Sequence, residues 1–161
     1  MLAAAGQREE AERTYRKGLE LGSGNPMALN NLAWLLATSP DVKFRDPGRA
    51  VELAKKAVEL APKAGIIWNT LGVAHYRAGH WKAATAALKN SDELLKGNEL
   101  SFNAFFLAMA HWQLANKGDA RKWYDQALQW MKKNQPNNEE LRRFRTEVEE
   151  LLKIEQKAMP K

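Results

Sequence analysis

Apolar side chains recur at intervals of three and four residues along almost every long segment of this chain. One example runs through Leu29, Leu32 and Leu36, and another joins Leu141 to Phe144. Residues at this spacing lie on one face of an α-helix, so each segment predicts a helix with one buried side. Alternating apolar and polar positions, which would predict strands, are absent. The chain is therefore expected to be all-α.

A second pattern places small residues seven positions apart, usually with a larger apolar or aromatic residue between them. It recurs along the chain at Ala11 to Gly18, Ala50 to Ala57, Ala84 to Ser91 and Ala120 to Ala127. A helix that presents small side chains on one stripe allows a neighbouring helix to approach closely. Because the same helix type returns several times, the pattern predicts a structural repeat built from packed helix pairs.

The repeat is most complete in residues 68–95. Side chains there fall on the pattern of the tetratricopeptide repeat, a helix pair with a period of about 34 residues: Trp68, Leu71, Gly72, Gly79, Ala84 and Leu88. His75, Ser91 and Lys96 stand where that family usually has Tyr, Ala and Pro. On these residues the chain resembles a tetratricopeptide-repeat domain, and it is similar to the repeat regions of large bacterial multidomain signalling proteins.

The resemblance implies a right-handed superhelical stack of antiparallel helix pairs in a single domain, 1–161. Counting the repeat along the chain predicts a half repeat, about three full repeats and a C-terminal capping helix. The expected ranges are 1–25 for the half repeat, then 26–64, 65–98 and 101–134, and finally 138–157 for the capping helix. The last helix has a polar outer face, as the end of a repeat stack requires.

The N-terminal end has no such cap, because the chain begins inside a repeat. Residues 2–5 have the composition of the last turn of a missing helix. We therefore expect the chain to be a fragment of a longer protein. The alternative is that a second copy covers the exposed edge around Tyr15 and Leu19, which would make a homodimer.

Turn signals agree with the expected helix ends. Asn25-Pro26 and Asp46-Pro47 each place a capping side chain before a proline at the first helical position. Gly79 favours the left-handed conformation that closes a helix.

Composition narrows the class of protein further. The chain holds 25 basic and 19 acidic residues, and its net charge of +6 permits an acidic partner without requiring one. Cysteine is absent, so disulfides and thiolate metal sites are excluded. No apolar run approaches the roughly 18 residues of a membrane-spanning helix. The start of the chain lacks the basic region of a signal peptide. We expect a cytoplasmic protein without membrane contact.

The resemblance also implies where a partner binds, because the first helices of such repeats line a concave groove. The side chains expected to face it are apolar, aromatic or amide-bearing: Asn30, Trp34, Asn69, Val73, Tyr76, Phe102, Phe105, Met109 and Trp112. Met27, Ala37 and Ile66 stand at matching positions. Such a surface suits a peptide or helix with hydrophobic anchors, whose backbone the two asparagine amides would hold.

Two alternatives for this surface remain open. Aromatic residues at helical spacing often belong to a core, and of Phe105 and Phe106 we expect one in the groove and the other in the core. The C-terminal helix could also fold into the groove and occupy it. The family's clamp for the carboxylate of chaperone tails needs converging Lys, Asn and Arg side chains. The matching positions here hold Asn30, Trp34 and Met109, so we expect no binding of chaperone tails.

Two other surfaces are candidates for partner contacts. The insertion 39–45 lengthens one loop, and its simplest interpretation is a tolerated surface insertion. Basic residues also recur on the second helices, where a convex ladder would contact phosphates: Arg16, Lys17, Lys55, Lys56 and Lys89. Interspersed glutamates and the absence of interleaved aromatic residues argue against nucleic acid as the main partner.

Little in the sequence predicts catalysis. His75 and His111 occupy the same interior repeat position, so core packing explains both. No histidine pair has the spacing of a helical metal site, and no motif combines a nucleophile, a base and an oxyanion site. We predict a protein-interaction scaffold that uses no cofactor and is not an enzyme.

Overall fold

The computed structural model describes residues 6, 9–10, 12–13, 16–17, 20, 24–96, 98 and 100–153. The described residues between 6 and 20 are helical. From residue 24 onward the described chain forms helices and no strand: α1 (Pro26–Thr38), α2 (Pro47–Leu60), α3 (Gly65–Arg77), α4 (Trp81–Leu95), α5 (Leu100–Gln113), α6 (Lys117–Asn134) and α7 (Glu139–Leu152). The prediction of an all-α chain is confirmed.

The helices form pairs that stack on one another. α1 packs on α2, α3 on α4 and α5 on α6 in antiparallel pairs. Short turns join the last two pairs, and a longer loop joins α1 to α2. The first helices α1, α3 and α5 also contact one another in sequence, so they form one side of the stack. This is the helical-repeat stack that the sequence predicts. α7 begins one residue after the start of the expected capping helix, whose residues 154–157 lie outside the described chain.

Capping side chains determine where α1 and α2 begin. The side-chain carbonyl of Asn25 accepts hydrogen bonds from the backbone amides of Met27 and Ala28, at 3.0 and 3.2 Å. Asp46 accepts one from the amide of Arg49 at 3.1 Å. These amides have no acceptor inside their own helix, so the caps stabilise both helix starts.

Helices within a pair approach closely because the small-residue stripes are buried between them. Among the described residues, the alanines of the predicted stripes have no exposed surface: Ala50, Ala54, Ala57, Ala84, Ala120 and Ala127. Ala11 and Gly18 of the first stripe lie outside the described residues. Gly72 of α3 is the closest point. A Cβ added there would lie 2.5 Å from Cγ of Leu88 and 3.2 Å from its amide nitrogen. The helix pair thus depends on a residue without a side chain at this position.

The insertion between α1 and α2 is an ordered loop. It contains a 3-10 turn, Val42–Phe44, in which Asp41 accepts a hydrogen bond from the amide of Lys43 at 3.0 Å. The Nε of Arg45 donates to the carbonyl of Ser39 at 2.8 Å, which ties the two ends of the loop together.

Candidate binding groove

The C-terminal helix lies against the first helices and covers part of the concave side. The ring of Phe144 in α7 is 4.8 Å from that of Phe106 in α5 and 6.1 Å from that of Trp34 in α1. Leu141, Phe144 and Val148 belong to the same buried cluster as the first helices. The amphipathic helix therefore occupies part of the groove that the repeats form.

Arg77, at the end of α3, joins α7 to the repeats. Its guanidinium forms a two-pronged ion pair with Glu147, and the second of these contacts, Nη2 to Oε2, measures 2.9 Å. Its Nε donates to the carbonyl of Ala37 in α1 at 3.1 Å. The same guanidinium lies 5.3 Å from the centre of the Phe106 ring. One side chain thus contacts three other helices.

A second polar contact holds α7 against α6. The hydroxyl of Tyr124 donates to Glu149 at 2.6 Å, and Nε of Arg145 donates to the same carboxylate at 2.7 Å. Burial and the adjacent Glu149 carboxylate raise the pKa of Tyr124 to about 12. Arg145, hydrogen-bonded to this carboxylate, has its pKa raised above its ordinary value. The carboxylate therefore lies among donors that remain protonated at neutral pH.

Several residues expected to line an open groove are instead part of the core. Val73, Phe105 and Met109 have no exposed surface, and Tyr76 is 8% exposed. Phe105 faces α6, with its ring 6.4 Å from that of Tyr124, whereas Phe106 faces α7. As open groove residues these four are wrong, because helix pairing buries Phe105 and all four lie in the core cluster that α7 completes.

The two asparagines one repeat apart are also nearly buried, and they differ in their partners. The Nδ2 of Asn69 donates to Oδ1 of Asn103 at 2.7 Å. Asn103 in turn donates to Ser91 at 3.1 Å and to Asp92 at 2.6 Å. The Oδ1 of Asn30 is buried, and no donor within the described chain reaches it. The Asn69 donor is therefore already used inside the fold, while Asn30 offers an unused acceptor.

The remaining predicted groove residues keep part of their surface exposed. Trp34, Phe102 and Trp112 are each partly buried. Trp112 is set apart from the others, since Lys117 covers its ring with Nζ 5.1 Å from the ring centre. Trp34 and Phe102 lie together at the other end of the groove.

An open cavity of about 290 Å³ lies at that end, between α1, α3 and α5. Its apolar wall consists of Trp34, Ile66, Leu95 and Phe102. Its polar wall consists of Asn30, Asn31, Asn69, Thr70 and Glu140. Ile66, at the start of α3, is 49% exposed. The structure therefore leaves an accessible depression in the predicted groove, and a second cavity adjoins it along Leu35, Thr38 and Arg143.

Glu140 comes from α7 and closes the cavity on one side. The indole Nε1 of Trp34 donates to its carboxylate over 3.4 Å, and Nη2 of Arg143 lies 3.7 Å away. Burial raises the pKa of Glu140 above its ordinary value, which the indole and Arg143 only partly offset. Because its position depends on the docking of α7, sequence reasoning missed it. Thr70 and Leu95 were also missed, although Thr70 follows Asn69 directly on α3.

His75 and His111 lie near the ends of α3 and α5, beside side chains of the turns that follow these helices. Nδ1 of His75 lies 3.1 Å from Nδ1 of His80, and His111 is placed the same way beside Asn116, at 3.5 Å. Burial lowers the pKa of both His75 and His111 below the usual histidine value. No group of three or more His, Asp or Glu side chains suited to a metal occurs in the described chain.

The remaining candidate surfaces are the basic ladder and the N-terminal edge. Arg16, Lys17, Lys55, Lys56 and Lys89 are all exposed. Tyr15 and Leu19, where a homodimer contact was expected, lie outside the described residues. Among the helices that the structure describes, none combines the length and apolar composition that crossing a membrane requires.

Stacked antiparallel helix pairs with buried small-residue stripes define the class of helical-repeat proteins. The particular repeat is given by residues 41–98, which match the family model of the tetratricopeptide repeat. Residues 41–98 therefore form a tetratricopeptide-repeat region, and domains built from this repeat are in general non-enzymatic scaffolds for protein interactions.

Solved structures of MamA have the same fold. One is 20% identical to this chain in sequence, with a TM-score of 0.64, and the match covers 94% of this chain and 82% of the MamA chain. A second is 21% identical, with a TM-score of 0.64, and the match covers 94% of this chain and 88% of the MamA chain. No curated protein sequence matches the chain.

Proposed function

We propose that this chain is a protein-interaction scaffold whose partner binds at the open end of the concave groove. The observation that carries the proposal is the cavity bounded by Trp34, Ile66 and Phe102. Tryptophan and other aromatic side chains are frequent hot spots of protein interfaces. An exposed isoleucine beside them favours association over exposure to water.

The size of the cavity limits what the partner can present. About 290 Å³ is at the lower end of ligand pockets, which usually span roughly 300 to 1,000 Å³. The deeper part of the groove already holds Phe144 and its neighbours on α7. We therefore expect the partner to be a short extended segment that inserts one side chain into the cavity. A whole helix lying along the groove is the less favoured alternative.

Selection from a random peptide library displayed on phage tests this proposal. The wild-type chain should enrich peptides that bind it in solution, and Ile66→Lys should abolish their binding because a long charged side chain replaces the apolar wall. Val42→Lys is the matched control, since Val42 is 68% exposed and lies in the loop between α1 and α2. Peptides that bind the Ile66 variant as tightly as wild type would refute the proposal, provided that both variants give the wild-type circular dichroism spectrum.

A further inference from the structure

We propose that the partner side chain that enters this cavity is basic, a lysine or an arginine. The inference rests on the proposed function and specifies the chemistry of the partner at the same site. It starts from the charges that line the cavity. Glu140 is the one charged residue among the described residues of its wall.

The Glu140 carboxylate is poorly compensated where it stands. Its contact with the Trp34 indole is long, at 3.4 Å, and Arg143 lies 3.7 Å away on the side of a neighbouring cavity. Burial disfavours the ionised form and raises the pKa of Glu140. A cation brought into the cavity would stabilise the ionised carboxylate in place of the water that burial removed, whereas an anionic side chain would be repelled.

Asn30 provides the second observation. It is 4% exposed, lines the same cavity, and its Oδ1 receives no hydrogen bond within the described chain. Burying such a carbonyl without a donor is costly. Asn69, one repeat later, differs because its amide is engaged with Asn103. A head group with several N–H donors fits the unused acceptor better than an apolar or acidic one.

The apolar wall suits the remainder of a basic side chain. Lysine and arginine have long aliphatic stems that pack on apolar surface while the charged head contacts polar groups. Ile66, Leu95 and Phe102 would contact the stem, and Trp34 would attract the cation, since tryptophan is the most favourable aromatic partner of a cation. A purely apolar anchor would contact the same wall, leave the Asn30 carbonyl without a donor and add no countercharge to Glu140.

The peptides selected on the wild-type chain provide the test. Those that require Ile66 should share a lysine or arginine at one aligned position. A synthetic peptide and its variant with norleucine at that position, which keeps the stem and lacks the charge, are titrated calorimetrically into the full chain. Norleucine should weaken binding about tenfold, as expected for one hydrogen-bonded charge.

Two variants locate the charge. In Glu140→Gln the basic and norleucine peptides should bind with similar affinity, whereas Glu139→Gln should preserve the tenfold difference. Glu139 is the matched control because it is exposed, adjacent in sequence and outside the wall of this cavity. Ile66-dependent peptides without a shared basic position, or equal affinity of the two peptides for wild type, would overturn the inference while leaving the proposed function standing. Selected peptides whose binding does not depend on Ile66 would contradict both the inference and the proposed function.

Discussion

At the scale of single residues, the docking of α7 depends on a few polar side chains that contact several helices. Arg77 is 8% exposed at its side chain and reaches Glu147 of α7 as well as the Ala37 carbonyl. A buried guanidinium without its carboxylate would keep the cost of desolvation and lose the compensating charge. The pair therefore contributes mainly by preventing a buried unpaired charge.

Replacing Glu147 by Gln should lower the free energy of unfolding by about 1 to 3 kcal/mol, because Arg77 loses its charged acceptor. Urea denaturation monitored by circular dichroism measures the change. Glu150→Gln is the control on the same helix, since Glu150 is exposed, and its effect should stay within about 0.5 kcal/mol. Equal unfolding free energies for the two variants would show that Arg77 does not hold α7.

Tyr124 makes stability depend on alkaline pH. Its pKa is raised from 10.0 to about 12, so the folded chain holds the phenol proton more tightly than the unfolded chain. The stability linked to this proton is complete below about pH 10 and is lost as the pH rises toward about 12. Between these values the unfolding free energy of wild type should fall more steeply than that of Tyr124→Phe. Parallel profiles in urea titrations across this range would contradict the assigned cause.

At the scale of helices, the distance between paired helices is set by the smallest residue at their contact. Gly72 leaves no room for a Cβ against Leu88, whereas Gly118 in α6 has nothing within 4 Å of the same atom position. Both glycines are helical, Gly72 in the middle of α3 and Gly118 in the first turn of α6, so both carry a propensity penalty, which is larger at Gly72. The two positions therefore separate the effect of packing from that of propensity.

Gly72→Ala should destabilise the chain by about 1 to 3 kcal/mol, because α3 and α4 must move apart or Leu88 must change its rotamer. Gly118→Ala should instead stabilise it by up to about 1 kcal/mol. Thermal unfolding of the two variants and of wild type measures whether each substitution lowers or raises stability. A stabilising Gly72→Ala would mean that the helices are less tightly packed than described.

Features determined by local sequence could be predicted, and they include the helices, their caps and the small-residue stripes. Asn25 and Asp46 precede prolines, and a capping bond spans only two or three residues. The alanine stripes follow from helical spacing in the same way. These elements need no knowledge of distant parts of the chain.

The exposure of the groove could not be predicted, because it depends on contacts between distant residues. Trp34 meets Glu140 across 106 positions, and Arg77 meets Glu147 across 70. Many Arg and Glu residues are available in the sequence, and nothing local selects these pairs. The apolar stripe of α7 indicated a buried face and left open whether this helix would occupy the groove, where Phe144 now contacts Trp34 and Phe106.

At the scale of the whole molecule, the concave side is divided into two parts. α7 fills the part near Phe106 and Phe144, and the cavity near Ile66 and Phe102 stays open. A partner therefore has two possible ways to bind, since it can occupy the open part beside α7 or displace α7. Our account requires the first, because the contacts of Arg77 and Tyr124 hold α7 in place.

Hydrogen–deuterium exchange of the full chain, with and without a selected peptide, tests this central claim most directly. We expect slower exchange in α1 around Trp34 and in the first turns of α3, α5 and α7, because Glu140 lines the cavity, with the exchange of the rest of α7 unchanged. Faster exchange along α7 would show that the peptide displaces it, and slower exchange confined to α2 and α4 would place the partner on the convex side. Either result would contradict the account.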